Sequence, residues 1–285
     1  MTKLTVREFF KRYPDDDACL DHIMNVRYGM RHTCGVCGTI DATFHRITGR
    51  RAYACASCGG HLYPCAGTIF QDSSTKLQLW FYAIYLFVVT RHGVSAKELE
   101  RQLGVTYKTA WRMGQKIREL AGNADFHGKL VGHIEVDETY VGGKRPGVRG
   151  RGALGKTIVV GMKQRDGAMK TAVVENVRMV TLQPIVESNV EIGSTVSTDE
   201  LRSYNLLAPR GYAHGTVQHG AGQYVDGIHH VNTVEGFWKL FKDSVKSTHI
   251  HISKKYASRY LDEFTFRSNH RQMGNAMFDL LIAAV

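Results

Sequence analysis

The sequence predicts an α/β protein, in which a mixed sheet flanked by helices is preceded by a four-cysteine ribbon and a helix-turn-helix. Three observations carry that prediction. From Val131 onward, short β-rich runs alternate with helical periods, the pattern of a sheet covered by helices. Far upstream, Cys34, Cys37, Cys55 and Cys58 form two C-x2-C pairs. Between these regions, SAKELERQLGVTYKTAWRMGQKIREL reads as two helices joined by a short Gly-containing turn. The 285 residues are expected to divide into N-terminal helices (1–30), the ribbon (31–72), a helical region (73–122), the α/β domain (130–272) and a C-terminal helix (273–285).

Taken in order, Thr5 and Glu8 have the spacing of a capping box and start the helix VREFFKRY, with Phe9 and Phe10 on its apolar side. A second helix follows through DDACLDHIMNVRYG, its acids at the end that the helix dipole favours. Each C-x2-C pair makes a tight turn that points two thiolates at one ion, and the two turns together complete a tetrahedral zinc site. A closed four-sulfur shell is structural, not catalytic. Cys19 and Cys65 are left over as small buried side chains. Ser73 or Ser74 is expected to cap the apolar helix LQLWFYAIYLFVV, which ends near His92 and Gly93 and falls short of the ~20 residues that span a bilayer.

Ser95 with Glu98 caps the next helix, Gly104 ends it, and Thr106 caps its successor. Tyr107, Lys108, Thr109 and Arg112 then face out from the start of the second helix, where a helix-turn-helix meets DNA. An ordinary helical hairpin has the same outline. A formal charge of +11 suits a polyanionic partner, nucleic acid being the commonest. No secretory signal is evident at the N-terminus, so a cytoplasmic location without membrane association is expected, with nucleoid association when DNA is bound.

In the α/β region, HIEVDETYV opens the sheet, with Glu135 and Asp137 on one side by strand alternation. GGKRPGVRGRGALGK follows, and its Lys144, Arg145, Arg149 and Arg151 are suited to a phosphate backbone. TIVVGMKQ and TAVVENV make a hairpin around RDGAM; TLQPIVESNV is a helix, STVSTDE a buried strand, LRSYNLLAPRG a short helix and GTVQHG a strand. In HVNTVEGFWKLFKDSV, Asn232, Glu235, Lys239, Lys242 and Lys246 share one helical face. SKKYASRYLDEFTFRSNHRQ is a basic amphipathic helix, and His229 or His230 is a candidate phosphate contact.

Asp137 and Asp199 fall on strands that a mixed sheet can set side by side, and Glu235 is delivered by a helix. Three acids gathered in this way describe a divalent-metal site, because Mg2+ is a hard ion that takes oxygen ligands. Two ions, Mg2+ or alternatively Mn2+, would serve phosphodiester chemistry.

The motifs VDETYVGGK, STDELRSY, VNTVEGFWKLFK and YLDEFTFRSNHR, with the four-cysteine module, resemble the ISXO-like branch of DDE-class insertion-sequence transposases. The resemblance runs from about Arg31 to Arg271. It implies a ribonuclease H-like core, the catalytic and metal-binding acids Asp137, Asp199 and Glu235, and Lys242 as a contact to the DNA end. Asn232 is the alternative third ligand, since the branch is described with Glu, Asn or His in that role. It also implies binding of terminal inverted repeats and target DNA, metal-dependent cleavage, 3′-hydroxyl strand transfer, and a homo-oligomer in the synaptic complex; Lys239, on the same helical face as Glu235, is a further candidate DNA contact. A non-enzymatic DNA-binding regulator derived from a transposase and a plain metal-dependent nuclease are the rival readings.

Overall fold

The computed structural model describes residues 4–29, 31–125, 127–142 and 156–285, and the chain falls into two compact units. The first comprises residues 1–90, 94–120 and 273–285, the second 91–93 and 121–272.

In the first unit, α1 (Val6–Arg12) starts with both halves of the capping box: Glu8 N–H donates to Thr5 Oγ1 at 3.3 Å and Thr5 N–H to Glu8 Oε2 at 2.7 Å. Phe9 is buried against Tyr13 and Phe278, whereas Phe10, expected beside it on the apolar side, is exposed. α2 (Asp16–Tyr28) is capped by Asp15. Four short strands, β1 (Arg31–His32), β2 (Ala42–Arg46), β3 (Tyr53–Cys55) and β4 (His61–Leu62), form an antiparallel sheet in chain order.

The apolar α3 (Leu77–Val89) stops before His92, with Thr90 as its C-cap, and neither expected serine caps it. Asp16 Oδ1 instead accepts from Gln78 N–H at 3.0 Å, while Ser73 Oγ accepts from the Trp80 indole at 2.9 Å. A carboxylate remote in sequence thus serves the helix N-terminus, and the serine satisfies a buried ring N–H that would otherwise be costly. α4 (Ala96–Leu103) ends at Gly104 in the left-handed conformation, φ 64°. α5 (Tyr107–Ala124) begins where Thr106 Oγ1 accepts from Thr109 N–H, and it continues beyond the expected end at Leu120.

The second unit is built on a five-stranded sheet of β5 (His133–Val141), β6 (Thr157–Gln164), β7 (Met169–Val174), β8 (Thr195–Asp199) and β9 (Ala213–Val217). Across the sheet they run third, second, first, fourth, fifth: β5, β6 and β7 are antiparallel, and β8 and β9 are parallel to β5. This is a ribonuclease H-like mixed sheet. Connecting β7 to β8, α6 (Met179–Asn189) covers one face, where Ile134, Val136, Val160 and Met162 pack with Leu182 and Val186. α7 (Asn232–Ser244) and α8 (Ala257–His270) cover the other, burying Val159 and Met169 under Val234, Trp238, Phe241 and Phe264. The segment LRSYNLLAPRG, expected as one short helix, is two separate 3-10 turns, Arg202–Tyr204 and Ala208–Arg210. Pro209 lacks an N–H and clashes with a preceding helical turn, so one continuous α-helix is disfavoured there.

Candidate active site

Strand alternation sends Ile134 and Val136 toward α6, so Glu135 and Asp137 point to the face under α7. Because β8 is parallel to β5 and hydrogen-bonded to it, its last residue, Asp199, ends near Asp137. Carboxylate oxygens of Asp137, Glu138 and Asp199 lie within 4.8 Å of one another. Burial pushes the Asp137 carboxyl up from 3.8 to about 8, helped by the negative charges of Glu138, Asp199 and Glu235. Such crowding of acids is unfavourable alone and is relieved by a cation. An oxygen-rich donor set of this kind fits a hard divalent ion.

The neighbours of the cluster are themselves tied down. Asp199 Oδ1 accepts from Leu201 N–H at 2.9 Å, and Glu138 Oε2 accepts from the buried Tyr204 hydroxyl at 3.2 Å. Glu235 sits half-exposed in the first turn of α7, with His219 Nδ1 3.6 Å from its carboxylate. It is not one of the three within 4.8 Å, but its charge acts on Asp137. Asn232, one turn earlier, is exposed. Lys242 is half-buried in the last turn; burial lowers its pKa, and the charge of Asp137 partly offsets that. Lys239 is exposed on the same helix.

Two features hold α7 in place over the strands. Glu135, fully buried, accepts through Oε2 from Thr233 N–H (2.8 Å) and Val234 N–H (3.2 Å), and through Oε1 from Thr233 Oγ1 (3.0 Å) and Arg165 Nε (3.1 Å). His230 Nδ1 lies 3.1 Å from the same Oε1. A strand carboxylate therefore satisfies the free N–H groups at the start of α7, where a negative charge is favoured by the helix dipole. Gly161 pairs with Asp137 across the β5–β6 ladder, and a Cβ there would come within 2.5 Å of Trp238 Cζ2. Absence of a side chain lets α7 approach the sheet at the level of the acids.

Strand alternation correctly put Glu135 on the side of Asp137, but Glu135 ends up inside the protein as the partner of α7 and Arg165. Glu138, His219 and Gly161 were not singled out by sequence reasoning. Their roles arise only from packing, and no local spacing signals them. His229 and His230, considered as phosphate contacts, turn inward. Arg165 donates to His133 Nδ1 at 3.0 Å, which leaves His133 Nε2–H to donate to Ser197 Oγ at 2.7 Å. Ser197 Oγ in turn donates to His229 Nδ1 at 2.9 Å.

In the first unit, Tyr107, Lys108 and Arg112 are exposed at the start of α5, whereas Thr109 is half-buried. The Lys97 ammonium lies 5.2 Å from the centre of the Tyr107 ring. Lys144, Arg145, Arg149 and Arg151 lie outside the described residues. Sulfurs of Cys34, Cys37, Cys55 and Cys58 lie within 4.8 Å of one another. Hydrogen bonds from Thr39 draw the Cys37 thiol down to about 6. At Cys58 the opposing pull of the Gly60 N–H is outweighed by the neighbouring thiols, Cys37 first, and that thiol is held up to about 12. Four thiols at such separations ionise together only around a cation, and four sulfurs fit Zn2+.

Residues 129–269 match the ISXO2-like transposase domain, and residues 14–61 match the transposase zinc-ribbon domain. An uncharacterized protein in transposable element ISH50 of Halobacterium salinarum is 30% identical over 237 residues, covering 75% of this chain and 77% of that one. This chain belongs to the ISXO2-like transposase family. An uncharacterized transposase-like protein of Haemophilus influenzae is 30% identical over 103 residues, 36% of this chain and 82% of the relative. A solved pre-cleavage Mos1 transpososome covers 67% of this chain and 74% of its own, at 12% identity and a TM-score of 0.29. The ISXO2-like domain coincides with the unit that carries the carboxylate cluster, and the zinc-ribbon match contains all four cysteines. Among the described residues, no helix is long and apolar enough to cross a membrane.

Proposed function

We propose that this transposase binds the ends of its insertion sequence, cuts them in a metal-dependent reaction and joins the 3′-hydroxyl ends to target DNA. The observation that carries the reading is the convergence of Asp137 and Asp199 from adjacent parallel strands, with the charge of Glu235 on α7 acting on Asp137. Asp137, Asp199 and Glu235 would hold two divalent ions, Mg2+ or Mn2+, with Asn232 the alternative to Glu235. When bound, such ions polarise the phosphodiester and stabilise the charge that develops on its oxygens.

The protein's own groups do the rest. Glu135 anchors the N-terminus of α7 so that its exposed face is turned to the DNA end. Lys242 and Lys239 bind the phosphates next to the cut, and the half-buried Lys242, which feels the charge of Asp137, is the contact to the scissile end. Tyr107, Lys108, Thr109 and Arg112 read or grip the terminal repeats through α5. Lys144, Arg145, Arg149 and Arg151 add contacts to the backbone, and Zn2+ on the four cysteines keeps the ribbon folded. Holding two ends together requires a homo-oligomer.

Incubating the purified chain with labelled duplex bearing an element end, and following binding and cleavage separately, tests this. Asp137→Ala and Asp199→Ala are expected to bind the end as the native chain does and to lose Mg2+-dependent cleavage. Cleavage retained by either variant overturns the site. A native chain that binds with a steep salt dependence and never cuts is a regulator, and one that cuts without joined products is a nuclease.

A further inference from the structure

Where the chain enters the ribonuclease H-like unit, Asp125 and His127 meet His270 at the end of α8. His127 Nε2 lies 2.9 Å and His270 Nε2 3.1 Å from one and the same carboxylate oxygen, Asp125 Oδ1. The three donor atoms lie within 4.8 Å of one another. We propose that Asp125, His127 and His270 form a second transition-metal site, for Zn2+ or a similar borderline ion, independent of both the ribbon and the carboxylate cluster.

The distances suit an ion. With bonds of about 2.0–2.1 Å, neighbouring ligand atoms stand about 2.9 Å apart in an octahedral shell and about 3.4 Å apart in a tetrahedral one. Both Asp125 contacts fall within that range. The ligand set selects against the ions proposed for catalysis, since two imidazoles and one carboxylate suit zinc or cobalt better than magnesium.

The supporting shell is formed as well. Asn269 Nδ2 donates to Asp125 Oδ2 at 2.8 Å, leaving Oδ1 for the two histidines, and Asn269 is itself fixed by both backbone groups of Met169. The Phe266 ring lies 4.7 Å from that of His270 and limits its rotation. A cavity of about 530 Å³ borders the cluster on the side of Asp125 and His127, with Lys170 and Asn189 also in its lining, and His270 lies outside that lining. An ion there would clamp the segment that precedes β5 to the last turn of α8. Without one, the cluster is two imidazole–carboxylate hydrogen bonds.

The experiment uses the full chain, stripped with a chelator and reloaded with Co2+ in excess Mg2+, which occupies oxygen-only sites. Metal content is measured together with the thiolate-to-cobalt absorption, which reports the ribbon alone and serves as an internal control. The native chain is expected to hold about two cobalt ions, and His127→Gln or His270→Gln about one, with the thiolate band undiminished. A native chain holding about one ion, all of it on thiolates, overturns the proposal without any reference to a variant's folding. So does an unchanged metal content in both variants.

Discussion

Replacing Glu135 by Gln tests whether a buried strand carboxylate positions the helix that bears Glu235 and Lys242. The substitution keeps volume and one acceptor oxygen, but it removes the charge and turns an amide NH2 toward groups that, His230 Nδ1 apart, are donors. Thr233 N–H, Val234 N–H, Thr233 Oγ1 and Arg165 Nε cannot all be satisfied by one amide oxygen. Arg165 is also left without its carboxylate in a partly enclosed place. Removing one partner of a buried ion pair costs about 3–5 kcal/mol. For a unit of this size each kcal/mol shifts Tm by about 2–4 °C, so a fall of about 6–20 °C is expected. Thr233→Ala deletes only the hydroxyl bond and should cost about 1 kcal/mol. The assay is thermal unfolding of both variants, followed by Mg2+-dependent cleavage at a temperature where each is folded. Glu135→Gln should lower cleavage while end binding persists. A Glu135→Gln protein that melts no earlier than Thr233→Ala would refute the anchoring argument.

Other consequences are as direct. Gly161→Ala places a methyl group against Trp238 and Met169, and overpacking of this kind costs about 1–3 kcal/mol; unfolding in urea should show it, and a neutral result would mean that α7 does not need the close approach. Asp137 has a folded pKa of about 8, above its ordinary 3.8, so the metal-free protein binds a proton there that the unfolded chain has released. Its contribution to stability is fully present below about pH 4 and is lost as pH rises toward about 8. Melting of the metal-free chain should therefore fall across that window, and Asp137→Asn should flatten the fall. Cys37→Ser or strong chelation should open residues 31–62 to limited proteolysis, because a ribbon with so little core takes its folding free energy from the metal, about 10–16 kcal/mol in finger peptides. Glu235→Ala and Asn232→Ala should separate in cleavage, the first abolishing it and the second sparing it; the reverse order assigns the third ligand to Asn232.

Much of the architecture was legible because it depends on local rules. C-x2-C spacing, the Thr5–Glu8 box, the turn at Gly104 and the alternation of β5 each act within a few residues, where sequence and geometry are closely coupled. The adjacency of β5 and β8 was also within reach, since a helical crossover between parallel strands is a standard connection. Less legible were interactions whose two halves are far apart in the chain. Asp16, not a neighbouring serine, serves the start of α3, and no window around Leu77 contains that information.

By itself, then, the sequence determined which residue types were available for chemistry, which strands and helices would carry them, and on which side of β5 the acids would lie. Only tertiary structure decided that Glu135 anchors α7, that Glu138 and His219 join the surroundings of the acids, and that Gly161 makes room for Trp238. The reason is physical. Alternation and helical periodicity are imposed by backbone geometry within a few residues, whereas the fate of a buried charge depends on whichever donors distant segments bring to it once water has been excluded.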